Sequence, residues 1–229
     1  MTSKEYHKAG HRQRLRARFM KSGPEALADY ELLELILFQA QPRGDVKPLA
    51  KSLIKQFGSF AEAVSAPTDR LQEMPGLGEA TIVALKSVQA AALKLSQGRV
   101  MNKPVLAGWT ALLDYCRASM AYHPTEQFRI LFLDRKNMLI ADEIQQTGTI
   151  DHTPVYPREV VKRALELGSS AIIMVHNHPS GDPTPSRADI EMTKQINAAA
   201  APLGIVLHDH LIITRSEEAS FNAMGLLKE

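Results

Sequence analysis

The spacing of apolar residues changes near Gly98, and this change constrains the fold more than any other feature of the chain. From Leu15 to Ser96 the apolar residues recur at helical intervals, and turn residues divide them into short pieces. After Gly98, short apolar strands alternate with amphipathic helices. The chain is therefore predicted to be a two-domain α+β protein, with an all-α domain over residues 1–98 and a mixed α/β domain over residues 99–229.

Individual elements can be predicted within both halves. In the first half, Pro24 begins one helix and Gly58 ends another, and the segment SQGRVMNKP is the predicted linker. In the second half, FRILFLD and MLIADEI are predicted strands joined by a turn at residues 134–137. The elements predicted after them are a helix (PREVVKRALELG), a buried strand (SAIIMV), a helix over about residues 186–201 and a last strand (IVLHDHLIIT).

The composition excludes several classes of protein. With 45% hydrophobic and 23% charged residues, the chain can bury a core, and it is neither collagen-like nor mostly disordered. No window approaches 18 uncharged apolar residues, and the basic N-terminus lacks the apolar stretch of a signal peptide. We therefore expect a cytoplasmic protein with no membrane partner.

Positive charge is concentrated in the first half. Residues 1–98 carry 14 Lys and Arg against 10 Asp and Glu, whereas residues 99–229 carry 13 against 15. Between Lys4 and Lys21 there are seven cations and one anion, and two arginine pairs share helical faces, namely Arg12 with Arg16 and Arg14 with Arg18. A polyanion would bind this half of the chain. A solvated basic face is the alternative.

The segment HNHPSGDPTPSRAD carries the strongest chemical pattern. His176 and His178 are two residues apart at the end of an apolar strand, so their imidazoles point to one face. Prolines then impose a loop, Ser186 begins a helix, and Asp189 lies in its first turn. Two imidazoles and a carboxylate suit Zn²⁺, and a set of three leaves the fourth position that a catalytic zinc requires. A capping box would by itself also explain Ser186 and Asp189.

The same four residues match a known motif. His176, His178, Ser186 and Asp189 resemble the JAMM (MPN+) metalloprotease motif, in which HxH, seven residues, Ser, two residues and Asp are fixed. The resemblance implies that the histidines and the aspartate bind zinc and that the serine donates to the oxyanion. It also implies an upstream glutamate as general acid and base.

Glu126 fits the glutamate because it precedes the strand QFRILFLD about fifty residues before the histidines, and the alternatives are Glu143, Glu159 and Glu166. Asn177 stands between the histidines, where eukaryotic deubiquitinating members usually have Ser or Thr. Ubiquitin-like substrates are therefore not implied.

A second histidine pair, His208 and His210, has the same spacing but no following proline-stiffened loop or carboxylate at the start of a helix. We expect these residues to be partly buried strand histidines, or to support the metal ligands together with Asp209.

In the first half, Gly76, Leu77 and Gly78 lie in the segment MPGLGEA, between a short helix and a long one. Glycines there permit a tight turn that brings amides towards a helix N-terminus, where a phosphate can bind. The pattern resembles the helix-hairpin-helix motif of non-sequence-specific DNA-binding proteins, which implies DNA contact through these three residues. A tight turn between two packed helices is the alternative.

From about Arg12 to Leu227 the chain resembles the RadC family, through GPEALADYELLELILF, MPGLGEA and HNHPSGDPTPSRAD. The resemblance implies a helix-hairpin-helix domain followed by a JAMM/MPN-like (cytidine-deaminase-like) domain that hydrolyses peptide or isopeptide bonds. The stretch Gln39–Arg43 departs from the glycine-containing sequence common in that family. Two other functions stay open: a DNA-associated accessory protein whose metal site is not proteolytic, and a noncatalytic MPN scaffold.

Overall fold

The computed structural model describes residues 10–147 and 155–227. The chain divides into two compact units, Met1–Ala91 and Ala92–Glu229. The division falls inside one long helix, which also contains the boundary predicted at residues 98 and 99. Within the described ranges, no helix is both long and apolar enough to cross a membrane.

The first unit is built from helices, as its apolar spacing predicts. They are α1 (His11–Ser22), a 3-10 turn (Pro24–Ala26), α2 (Asp29–Ala40), α3 (Lys47–Phe57), α4 (Phe60–Ser65), α5 (Thr68–Gln72) and the start of α6 (Glu79–Val100). Pro24 begins only the 3-10 turn, and the α-helix predicted there begins at Asp29 because residues 27 and 28 are extended. Gly58 ends α3 with a φ of 103°, a conformation that favours glycine. Ser59 then caps α4 by accepting a hydrogen bond from the backbone of Glu62. The helices surround leucines that are fully buried: Leu33, Leu37, Leu53, Leu71 and Leu85.

The predicted linker begins as helix. α6 continues through Gly98 and ends at Val100, whereas the composition of SQGRVMNKP predicts a connection. A single glycine costs only about 1 kcal/mol in a helix interior. The alanine-rich sequence before Gly98 favours helix, and the next proline is Pro104. Helical propensity therefore overrides the linker-like composition.

The second unit contains a five-stranded sheet. Its strands are β1 (Gln127–Leu133), β2 (Leu139–Thr147), β3 (Ala171–Asn177), β4 (Val206–Ile213) and β5 (Glu218–Ser220), in the spatial order β2-β1-β3-β4-β5. β3 and β4 are parallel, and the other neighbouring pairs are antiparallel. The sequence analysis missed β5, which is too short to show a period. The sheet and its flanking helices confirm the α+β prediction.

Helices cover both faces of this sheet. A 3-10 turn (Leu106–Gly108) leads into α7 (Trp109–Met120), which packs on one face through residues such as Leu112 and Cys116. The other face carries α8 (Pro157–Glu166) and α9 (Arg187–Ala200), through residues such as Val160 and Ile196, and a 3-10 turn (Ala201–Leu203) follows α9. Because β3 is central, every one of its residues is buried.

Strand register determines which residues meet at one edge of the sheet. β1 runs antiparallel to β3, with Phe128 opposite His176. The start of β1 and the end of β3 therefore lie side by side. α9 begins nearby, ten residues after β3 ends.

Candidate metal centre

Three predicted ligands meet where β3 ends and α9 begins. His176 is the second-last residue of β3, and His178 follows the strand directly. Their Nε2 atoms are 2.9 Å apart. Asp189 completes the group, with Oδ1 3.5 Å from His176 Nε2 and Oδ2 3.8 Å from His178 Nε2. Within the described ranges, this is the group of His, Cys, Asp or Glu side chains that could hold a metal ion.

The spacing of these atoms fits zinc. Ligands held about 2.05 Å from a tetrahedral zinc ion lie roughly 3.3 Å from one another. The two nitrogens are 2.9 Å apart, and each has its own nearest Asp189 oxygen at 3.5 or 3.8 Å, so the three side chains approach one another about as closely as ligands of one ion do. Two nitrogens and a carboxylate oxygen are also the donor set that zinc accepts most readily. The residues present therefore fit the metal that the motif implies.

The start of α9 orients the carboxylate. Ser186 is the N-cap, and its Oγ accepts a hydrogen bond from the backbone N–H of Asp189 at 3.1 Å. In return, Oδ2 of Asp189 accepts from the backbone N–H of Ser186 at 2.8 Å and from its hydroxyl at 2.6 Å. These two residues form a capping box, which was the alternative interpretation of the pair. The box turns the aspartate towards both histidines, so capping and ligation are compatible.

Hydrogen bonding determines which His178 nitrogen is free. Its Nδ1 lies 2.7 Å from the backbone carbonyl of Asp182. A carbonyl can only accept, so Nδ1 carries the proton. In the neutral ring, Nε2 then presents a lone pair to the other two side chains, as a metal ligand must.

His176 is buried and held from two sides. Its ring stacks on Phe128, with centroids 5.9 Å apart, and its Nδ1 lies 2.8 Å from Nε2 of His210. Burial lowers the pKa of His176 to about 4, although the nearby Asp189 carboxylate opposes the shift. Near neutral pH the ring is therefore uncharged, which is the form that binds a metal.

Glu126 lies in the same cleft as the histidines and Asp189. The cleft has a volume of about 610 Å³. Among the four glutamates considered from the sequence, all within the described ranges, only Glu126 lines it. Phe128 pairs with His176, and Glu126 directly precedes β1, so Glu126 lies at the edge of the sheet where β3 ends.

The other glutamates have partners elsewhere. Arg163 donates to Glu143 at 2.6 Å and to Glu166 at 2.9 Å, and Glu159 pairs with Arg158 at 3.2 Å.

Asn177 fixes the backbone around Glu126, and the sequence analysis did not assign it this role. Its side chain is fully buried. Its Oδ1 accepts from the backbone N–H of Gln127 at 2.8 Å, and its Nδ2 donates to the carbonyl of Thr125 at 3.1 Å. These bonds bracket Glu126 in sequence. An amide side chain at the end of a buried strand was the available signal, because a buried amide requires partners.

The two histidines of the second pair, His208 and His210, lie in different surroundings. His208 Nε2 lies 2.6 Å from Asn137 Oδ1, away from the three ligands. His210 is fully buried directly behind His176. Asp209 accepts from the backbone N–H of His210 at 2.7 Å and from the hydroxyl of Ser220 at 2.5 Å. Its carboxylate therefore anchors the β4 backbone and the β5 segment rather than the His210 ring.

In the first unit, the glycine turn joins α5 to α6. Gly76 has a φ of 87°, Leu77 is buried, and the Gly78 carbonyl accepts from Ile82 in the first turn of α6. Gln41 braces the turn, since its Nε2 donates to the Gly76 carbonyl at 3.0 Å and to the Thr81 hydroxyl at 3.2 Å. Gln41, which belongs to the stretch that departs from the family sequence, therefore holds the glycine turn.

Several cations of α1 have partners inside the first unit. Arg12 donates to the carbonyls of Gln41 at 2.7 Å and Gly44 at 2.9 Å, and its guanidinium lies 4.5 Å from the centre of the Phe38 ring. Arg18 pairs with Glu31. Part of the basic cluster therefore stabilises the helical unit, and Lys4 and Lys8 lie outside the described residues.

Comparison with known proteins gives the family. Residues 106–226 match the RadC-like JAB domain, and residues 7–83 match the UPF0758 N-terminal domain. A UPF0758 protein of Rhodobacter capsulatus is 65% identical over 93% of this chain and 100% of its own length. A UPF0758 protein of Ruegeria pomeroyi is 59% identical over 95% of this chain and 97% of its own. The chain therefore belongs to the RadC-like UPF0758 family.

Proposed function

We propose that this protein is a zinc-dependent hydrolase of JAMM type that cleaves peptide or isopeptide bonds. The observation that carries the proposal is that His176 Nε2, His178 Nε2 and the Asp189 carboxylate lie within 4.8 Å of one another in a cleft. Three protein ligands leave one coordination position for reacting groups, as in catalytic rather than structural zinc sites.

The metal would act as a Lewis acid and bring the pKa of a water molecule towards about 7. Glu126 takes the proton of the attacking water and delivers it to the leaving nitrogen. Its place on the wall of the cleft that His176, His178 and Asp189 also line supports this role. The bonds from Asn177 to both neighbouring residues keep the carboxylate near the reacting atoms.

Ser186 is proposed to donate its hydroxyl to the oxyanion. In the structure this hydroxyl donates to Asp189 Oδ2, so the role requires the proton to turn away by rotation about the serine Cβ–Oγ bond. The carboxylate keeps the hydrogen bond from the Ser186 backbone N–H when the hydroxyl turns away. Removal of one such donor costs about 3 kcal/mol in other enzymes.

The first test is metal content. Purified protein should bind about one zinc ion per chain, and His176→Ala or Asp189→Ala should remove it because each deletes a ligand. His208→Ala is the matched control, since His208 bonds to Asn137 instead. Loss of zinc in His208→Ala with retention in His176→Ala would overturn the assignment.

Cleavage of a peptide library by the zinc-loaded protein then tests the reaction. Products that require both zinc and Asp189 support the hydrolase. Zinc binding without any cleavage would favour the accessory or scaffold functions.

We propose a second, separate function for the glycine turn, namely weak and sequence-independent contact with DNA phosphates. The support is local: the turn leads directly into the N-terminus of α6, whose amides and dipole favour an anion. Gln41 keeps this turn in place. Such contacts would position the protein on DNA without reading sequence.

A further inference from the structure

Behind the candidate zinc site, a chain of hydrogen bonds leads away from His176 through two buried side chains. His176 Nδ1 lies 2.8 Å from His210 Nε2, and His210 Nδ1 lies 2.6 Å from the hydroxyl of Thr193. That hydroxyl is also 2.6 Å from the backbone carbonyl of Asp189. His210 is fully buried and Thr193 is 1% exposed, so water does not compete for these bonds.

The Asp189 carbonyl, at the far end of these hydrogen bonds, determines which atom is the donor in each of them. A carbonyl only accepts, so the single hydroxyl proton of Thr193 points at Asp189. The Thr193 oxygen must then accept from His210, which places the His210 proton on Nδ1. In a neutral ring the opposite nitrogen, Nε2, is an acceptor.

His176 is the last residue in this series of hydrogen bonds. Because His210 Nε2 accepts, His176 Nδ1 must donate. The Nε2 lone pair of His176 is then directed at His178 and Asp189. His178 reaches the same state through its bond to the Asp182 carbonyl. When both rings are neutral, each therefore presents an Nε2 lone pair towards the Asp189 carboxylate, as the ligands of one cation must.

We propose that His210 and Thr193 are positioning residues that hold His176 in the one tautomer able to bind the metal. The proposal rests on the zinc site proposed above and adds two residues to it. It also couples the two elements that carry the ligands. Asp189 supplies a ligand through its side chain and orients a second ligand through its backbone, by way of Thr193 and His210.

The test removes only the hydroxyl. Thr193→Val keeps the shape of the side chain, but it leaves the His210 Nδ1–H without an acceptor. The His210 tautomer with its proton on Nε2 then becomes more favourable, because it buries no unpaired N–H at Nδ1. In that tautomer the Nε2–H of His210 points at the Nδ1–H of His176, and the two protons repel each other. Zinc dissociation constants, measured on the full-length protein by competition with a chelator, should rise by roughly 10-fold to 100-fold. Thr193→Ser keeps the hydroxyl and should bind zinc with nearly the affinity of the unmodified protein.

Thr81→Val is the matched control for the loss of a buried, hydrogen-bonded hydroxyl. Thr81 is 2% exposed and lies in the first unit, where its hydroxyl bonds to Gln41. This variant should bind zinc like the unmodified protein. If Thr193→Val does not fold, Thr193→Ala replaces it, since alanine also lacks the hydroxyl and should weaken zinc binding equally.

A spectroscopic measurement separates a positioning role from a purely structural one. Nitrogen-15 NMR of the metal-free protein should show His210 protonated at Nδ1, and Thr193→Val should move that proton to Nε2. A His210 ring protonated at Nε2 in the unmodified protein would overturn the proposal. So would unchanged zinc affinity in Thr193→Val.

These outcomes are distinct from failure of the proposed function. If the unmodified protein takes up no zinc, the hydrolase proposal fails, and the His210 tautomer still tests the hydrogen-bond chain. If the unmodified protein binds zinc and Thr193→Val binds it equally well, the zinc site stands and the positioning role fails.

Discussion

Glu126 is proposed to transfer a proton without binding zinc, and one substitution separates these properties. Glu126→Gln keeps nearly the same shape but cannot accept a proton at neutral pH. Zinc content and substrate affinity should be retained while the turnover number falls by roughly 100-fold or more. His178→Ala should lose zinc and activity together.

The comparison requires zinc content and cleavage rate from the same preparations. A Glu126→Gln protein that cleaves at the normal rate would assign the base elsewhere. A variant that loses its zinc would make Glu126 a ligand.

At the scale of single residues, sequence spacing predicts contacts only where the chain supplies them locally. His176 and His178 share a strand end, and Ser186 and Asp189 share a helix start, so their spacing carries information. The bond between His210 and His176 spans 34 residues, and that between Asn177 and Gln127 spans 50. Such pairs depend on strand order, which local periodicity does not encode.

Among the elements, the glycine turn allows a sharp test of DNA contact. A methyl group added at Gly78 would meet no atom within 4 Å, and the residue has no positive φ, so Gly78→Ala should fold normally. The new methyl group would stand where a phosphate must approach the amides, and affinity should fall alike for all sequences. Fluorescence anisotropy with labelled duplexes measures this. Gly98→Ala is the matched control, since Gly98 also has open space around it and lies later in α6.

Salt dependence gives a second measure of the same contact. If about three to five phosphates are neutralised, log affinity should fall against log salt with a slope near −3 to −4.5. Equal affinities of Gly78→Ala and the unmodified protein, or a flat response to salt, would contradict DNA binding by this turn.

The elements also show where composition misleads. SQGRVMNKP resembles a linker in composition, yet its first five residues continue α6, because Gly98 alone does not end a helix and the first later residue with a positive φ is Asn102. Likewise, the sequence of α1 predicts a basic face that could bind a polyanion. The Arg12 guanidinium bonds to the carbonyls of Gln41 and Gly44 instead. The number of charged residues can be taken from a sequence, but the sequence does not show which of them bond to other groups of the protein.

For the whole molecule, the division into two units predicts where zinc stabilises the protein. The ligands lie in the second unit, at β3 and α9, and His210 links them to β4. A ligand that binds only the native state, present at 100 times its dissociation constant, stabilises that state by about 2.7 kcal/mol. Hydrogen exchange should therefore slow in β3, α9 and β4 when zinc is added, while α1 to α5 exchange at unchanged rates.

The pattern of protection matters more than its size, because a cooperative unit opens as a whole. β3 is buried along its entire length and pairs with both β1 and β4, so protection should spread across the central strands rather than stop at the ligands. His176→Ala is the control and should show no response to zinc. Equal slowing in α1 to α5 would show that the two units open together or that zinc binds both. No slowing in β3 would place the metal elsewhere.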